Sequence, residues 1–281
     1  MKQLRGNEKA DLVLGSGPVL RFYGDSRPHV FQTARLQKGA VIVSGEKELV
    51  EEGLGFGVPV CRYQDGTRFS IDATTSVDDS NETVVIKIYD MNGIASKKFR
   101  GFPIQRASPL VRLLGVLEKG YRGLRRFNTV ATAMLTTLSL LGMRNEYLQS
   151  QSKGRIAVTY HRTNRGLQIE ANFEELSLHG LNGIVFANEQ SGRLFDEYRD
   201  SAGAHLCDRQ IEPWRTTKAE WANLYCRTLR AGFRIHRPKG WLVVRGREVV
   251  KDRVCWSGLD LSSTQTPHAL KYLIEIVEDG S

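Results

Sequence analysis

The side chains able to do chemistry in this 281-residue chain gather in three places. The first is Tyr160-His161-Arg162, at the end of an alternating apolar run. A phenol, an imidazole and a guanidinium in succession supply groups that abstract a proton, donate one and neutralise a carboxylate. The second is Asn188-Glu189, directly after the apolar run GIVFA, followed by Arg193, Tyr198, Arg199, His205 and Trp214. Carboxylates, guanidinium groups and aromatic faces this close together suit a polar ligand, and the end of a strand positions them well. The third is Arg245-Gly246-Arg247-Glu248 after WLVV, with Trp256 on the next run. His161, Glu189 and Tyr198 are the expected catalytic groups. Tyr160, Arg162, Asn188, Arg199, Trp214 and Trp256 are the expected binding groups.

Several chemistries have no signature. HExxH, GxSxG, Walker and deaminase patterns are absent from the sequence. Gly15-Ser16-Gly17 lacks the third glycine of a dinucleotide loop and runs into a β-branched segment, where a phosphate cradle needs a helix N-terminus. The cysteines Cys61, Cys207, Cys226 and Cys255 form no CxxC pair. They read as free thiols in a reducing, cytoplasmic setting, in keeping with an N-terminus that has no apolar signal core. A zinc set drawn from His205, Cys207 and Cys226 lacks the close spacing of structural sites, so neither metal nor cofactor is expected.

These groups need strands to hold them. Val19–Tyr23, Ala40–Val43, Val58–Tyr63 and Thr83–Tyr89 are β-branched or alternating. Asp65-Gly66 and Asn92-Gly93 predict tight hairpins. Lys47 to Glu52 predicts a helical turn or two. In Lys153–Arg162 and Leu167–Phe173 apolar residues alternate with polar ones, and the loop RTNRG between them suits a hairpin, which predicts half-exposed antiparallel strands. Further strands are expected at Gly183–Ala187, Phe233–His236, Trp241–Val244 and Leu270–Val277. Thr217 with Glu220 resembles a capping box, predicting a short helix that ends at Gly232.

Between the β-rich parts the period changes. Ser108-Pro109 reads as a helix start, and Leu110, Leu113, Leu114, Leu117, Tyr121 and Leu124 recur at steps of three and four. Arg112, Lys119, Arg122 and Arg126 take the opposite face and form an expected anion-binding surface. An uncharged run from Phe127 to Met143 predicts a second helix reaching about Gln149, buried in a core or, with Arg125, Arg126 and Arg144 flanking it as interfacial anchors would, inserted in a membrane. The net charge of +9 is concentrated here, since residues 97–126 hold nine basic side chains and one acidic. Such a segment suits an anionic membrane surface, a nucleic-acid backbone or an acidic partner, although no nucleic-acid recognition module is visible. The expected fold is mainly β: a single antiparallel β-sandwich domain over 1–281 with a helical hairpin inserted at about 107–150.

The order GRIAVTYHR, LQIEANF, GIVFANEQSGRLFDEYRDS, WLVVRGRE and CWSGLDL resembles the antiparallel supersandwich of galactose-mutarotase-like proteins and polysaccharide lyases, over residues 154–277. The resemblance implies a carbohydrate ligand, with Trp214 and Trp256 stacking on sugar rings. It implies a lyase or epimerase acting on an acidic sugar held by Arg162 or Arg199, with His161, Glu189 or Tyr198 moving the proton. The other reading is a non-enzymatic binding or regulatory protein that works through the basic segment 108–126.

Overall fold

The computed structural model describes residues 1–14, 19–24, 27–28, 35–44, 47–48, 53–78, 84–99, 102–103, 143–212, 214–228, 230–250, 254–265 and 269–278. It divides into two compact units, one of Met1–Gly93 with Ser150–Ser281 and one of Ile94–Gln149.

Alternation builds the larger unit. In Arg155–Thr163, Ile156, Val158 and Tyr160 are fully buried while Arg155, Ala157 and Thr159 stay accessible. This is the period-2 pattern of a strand with one face on a core. The strand sits within a ten-stranded antiparallel sheet. Its order is Lys2–Leu4, Ala73–Val77, Val84–Asp90, Arg155–Thr163, Gly166–Asn172, Ala269–Glu278, Ala231–His236, Trp221–Cys226, Glu197–Asp200 and His205–Cys207. A second antiparallel sheet runs Gly66–Phe69, Gly55–Tyr63, Leu181–Ser191, Val254–Ser263, Leu242–Val250 and Arg215–Thr217.

The two sheets pack face to face through aromatic side chains. Phe56 meets Phe233 edge-on with ring centroids 5.0 Å apart, and Phe186 meets Tyr272 at 6.5 Å. Each such pair adds about 0.5–1.5 kcal/mol beyond its burial. Tyr hydroxyls inside this core find acceptors across it. Tyr160 Oη lies 3.1 Å from the Gly57 carbonyl, and Tyr272 Oη donates to Asn188 Oδ1 at 2.9 Å. A small third sheet, Lys9–Val13, Val19–Tyr23, Val41–Ser44 and Lys47–Glu48, adds Phe22 against Tyr160. The fully buried Lys87 donates to the carbonyls of Tyr23 and Lys38 at 3.2 and 2.7 Å.

In the smaller unit, the strand Gly93–Phe99 pairs with Phe102–Pro103 and with Met143–Gln149. The basic helix expected at 108–126, with Arg112, Lys119, Arg122 and Arg126, lies outside the described residues. So does the second helix up to residue 142. Its expected last turns, Met143–Gln149, are a strand instead.

The mainly β, antiparallel expectation holds, and four local ones do not. Among the described residues the helical structure is one 3-10 turn, Asp208–Ile211. The segment read as a helix from Thr217 to Gly232 is the hairpin Trp221–Cys226 with Ala231–His236. Ala222, Leu224 and Cys226 are buried at every second position, so period 2 defeats the three-and-four spacing. The capping box is a turn, in which Thr217 Oγ1 accepts the N–H of Ala219 and Ser201 Oγ that of Glu220. Lys47–Glu48 is a strand paired to Val43–Ser44. Asp65-Gly66 makes the expected hairpin, but Asn92-Gly93 does not. Val84–Asp90 is flanked by Ala73–Val77 and Arg155–Thr163, and the Asn92 side chain pins Ile71 and Asp72 instead. No helix among the described residues is long and apolar enough to cross a membrane.

Candidate functional site

Along Leu181–Ser191 the side chains of Phe186 and Asn188 turn into the sandwich, where both meet Tyr272. Alternation therefore turns Glu189 to the outer face of the second sheet. Across from Glu189 stands Gly258, and across from Gly258 on the next strand stands Gly246. This row of two glycines is a floor. A Cβ on Gly246 would lie 2.3 Å from the Trp214 ring. A Cβ on Gly258 would lie 3.1 Å from both Trp214 Cη2 and Glu189 Cγ. The half-buried indole thus rests flat on backbone, with the Glu189 side chain at its edge. Glu248, two residues beyond Gly246, has Oε2 3.4 Å from the indole Nε1. Asp260, two residues beyond Gly258, accepts the N–H of Asn188 through Oδ1 at 2.9 Å.

The carboxyl groups are set apart from ordinary surface acids. Burial raises the pKa of Glu189 well above the usual range, and the charges of Asp260 and Glu248 push the same way. The Leu54 N–H, 3.2 Å from Glu189 Oε2, and Lys38 oppose this without cancelling it. Burial also raises Asp260, to about 7, against the Asn188 N–H and Arg62, which lower it. Two carboxyls that feel each other in a poorly solvated place do not both ionise readily. Both carboxyls are therefore biased toward the protonated form, and ionisation of one holds back the other.

The sequence-predicted residues divide. Glu189 and Trp214 come together, and Trp256 shares their strand face by register with Glu248. Only 6% of Trp256 is exposed, so it offers no open ring. Asn188 belongs to the core. Its Oδ1 accepts from Gly57 N–H and Tyr272 Oη, and its Nδ2 donates to the carbonyls of Phe186 and Leu259. Tyr160 is a fully buried core phenol paired with Tyr89, and burial raises its pKa. His161, its neighbour, points to the other face of the ten-stranded sheet, opposite Gln168. Arg162 is exposed at the same strand end.

Tyr198 is buried, donates to Asp200 at 2.6 Å and lies under the Arg245 guanidinium. Arg199 is paired to Glu197. His161 and Tyr198 stand five strands apart in one sheet, about 24 Å along it. Glu189 is in the other sheet. The structure therefore does not bring the three expected catalytic groups to one place.

Asp260 escaped the sequence reading, and Glu248 was noted only as part of its run. Their signal is parity. In CWSGLDL the buried Leu259 and Leu261 mark one face, which assigns Trp256, Gly258 and Asp260 to the other.

No protein-family model matches this chain, and no curated protein matches it. Among solved structures it is similar to a galactose mutarotase-like protein from Lactobacillus casei, with 9% identity and a TM-score of 0.44. It is also similar to a protein called HI1317, with 10% identity and a TM-score of 0.40. Both alignments cover 96% of this chain and 100% of the other. The resemblance is of fold alone; no shared motif accompanies it.

Proposed function

We propose that the outer face of the second sheet binds a neutral sugar, and that Glu189 and Asp260 move protons on it. The observation that carries this reading is the Trp214 indole laid on Gly246 and Gly258 with Glu189 at its edge. The C–H face of a sugar ring stacks on such a platform. Its hydroxyls both donate and accept, as the partly protonated carboxyl pair requires. A pair made of one acid and one base suits epimerisation at a hemiacetal carbon. The base takes the anomeric hydroxyl proton while the acid protonates the ring oxygen, so that the bond between C1 and the ring oxygen breaks and an open-chain aldehyde forms; rotation about its C1–C2 bond and reclosure on the other carbonyl face reverse both transfers. An acidic sugar fits less well, because its carboxylate would face Glu189, Asp260 and Glu248. Arg162 and Arg199, expected to hold that carboxylate, lie elsewhere.

Exchange NMR on a panel of neutral aldoses tests the reading. Faster interconversion of anomers with the intact chain, lost in Glu189→Gln and Asp260→Asn, supports it. Retained binding in those two variants and lost binding in Trp214→Ala would separate proton transfer from stacking. If no neutral monosaccharide or oligosaccharide of the panel binds, the proposal fails.

A further inference from the structure

At the far edge of the ten-stranded sheet, the hairpin Glu197–Asp200 with His205–Cys207 carries a second constellation. Glu197 stands directly opposite Cys207, and His205 lies two residues before Cys207 on the same strand. Period 2 therefore puts all three side chains on one face. Their donor atoms converge. His205 Nε2 is 3.0 Å from Glu197 Oε1 and 3.8 Å from Cys207 Sγ, and one ligand atom from each lies within 4.8 Å of the others.

We propose that Glu197, His205 and Cys207 bind a divalent thiophilic metal ion, Zn2+ being the best fit. A tetrahedral Zn2+ with bonds of about 2.0–2.3 Å holds its ligand atoms about 3.3–3.8 Å apart. The observed separations bracket that span. A thiolate, an imidazole and a carboxylate together select zinc-like ions over Mg2+ or Ca2+, which prefer all-oxygen shells. Three protein ligands leave the fourth position to water. His205 is 56% exposed, so the ion loads directly from solution.

The scaffold is set before metal arrives. Asp200 Oδ1 accepts the N–H groups of Ala202 and Ala204 and closes the turn at one end. At the other end, Gln210 Oε1 accepts the Cys207 N–H and the Asp196 carbonyl accepts the Asp208 N–H. The competitor is Arg199, whose guanidinium sits on Glu197 Oε1 at 2.5–2.6 Å. Its side chain is 58% exposed while that of Glu197 is 7% exposed, so the guanidinium returns to water only as another cation takes over the buried carboxylate. Arg199 therefore holds the carboxylate in place when no metal is bound and yields to a dication.

The test uses the full chain, stripped with a chelator and titrated with Co2+ as a spectroscopic substitute for Zn2+. One equivalent should bind and develop a thiolate-to-cobalt charge-transfer band, which Zn2+ then bleaches. Cys207→Ser should abolish the band, His205→Ala should weaken binding at least tenfold, and Arg199→Gln should tighten it several-fold. No band, or a band unchanged in Cys207→Ser, overturns the proposal. If that variant does not fold, peptide-mapped alkylation of the unmutated chain decides. Protection of Cys207 by Zn2+ supports the site, and equal labelling with and without Zn2+ overturns it.

Discussion

Gly246→Ala tests whether the Trp214 platform is what the ligand uses. The substitution adds one methyl group and no charge. Gly246 does not have a positive φ, so alanine is tolerated by the backbone. The new Cβ would sit 2.3, 2.6 and 2.7 Å from Cδ2, Cε3 and Cγ of the indole. Carbon atoms rest about 3.5–4.0 Å apart, so the ring must lift by at least about 1.2 Å. If the ring stayed in place, overpacking would cost about 1–3 kcal/mol. Trp214 is only half-buried, so it swings outward instead, and the global cost should fall below about 1 kcal/mol. The local effect is larger. A tilted indole loses its alignment with Glu189 and Glu248, and sugar affinity should fall at least tenfold, or about 1.4 kcal/mol. Calorimetric titration reads the affinity and urea unfolding reads the stability. Unchanged affinity in Gly246→Ala, with binding lost in Trp214→Ala, would refute the account of the glycine floor.

The raised carboxyl pair makes the folded chain hold more protons than the unfolded one between about pH 4 and pH 7. Stability from this source should therefore fall as pH rises through that window, and Asp260→Asn should flatten the fall in urea midpoints measured at successive pH values. Tyr160→Phe removes only a core hydroxyl. It should cost about 1–2 kcal/mol in urea unfolding and leave sugar affinity unchanged, and a loss of affinity would return Tyr160 to the site. Lys87→Ala removes the buried ammonium donor from the Tyr23 and Lys38 carbonyls, of which Tyr23 keeps the Thr75 hydroxyl, and chemical unfolding should report a loss of about 2 kcal/mol or more.

Strands whose apolar residues alternate were legible because alternation is both a sequence pattern and a packing requirement. Arg155–Thr163 and Ala269–Glu278 are of this kind. Trp221–Cys226 was misread because Trp221 and Leu224 are spaced by three, while the small inward residues Ala222 and Cys226 leave no hydrophobic peak. The site was half legible. Glu189 and Trp214 were visible as chemical types, but what joins them is Gly246 and Gly258, whose contribution is the absence of a side chain. Tyr160 and His161 looked like partners because they are adjacent in sequence, and adjacency on a strand is what sends two side chains to opposite faces.

Asn188 links the outer site to the core, and its role is positioning rather than ligand binding. The register between Leu181–Ser191 and Gly55–Tyr63 shifts between Ala187 and Asn188. Gly57 lies at this irregularity with φ +76, and a Cβ there would stand 2.9 Å from Tyr160. Only glycine meets both demands. The Asn188 amide completes the irregularity, with two acceptances at Oδ1 and two donations from Nδ2. Its backbone N–H holds the Asp260 carboxylate. Asn188→Asp is nearly isosteric, but it turns both donations into oxygen facing the carbonyls of Phe186 and Leu259. A buried charge without a partner costs about 3–5 kcal/mol. The variant should therefore be strongly destabilised at neutral pH and recover part of the loss in acid, where the new carboxyl is protonated. A pH-independent loss would place the damage in packing alone. No loss at all would show that Asn188 is not held as the geometry describes.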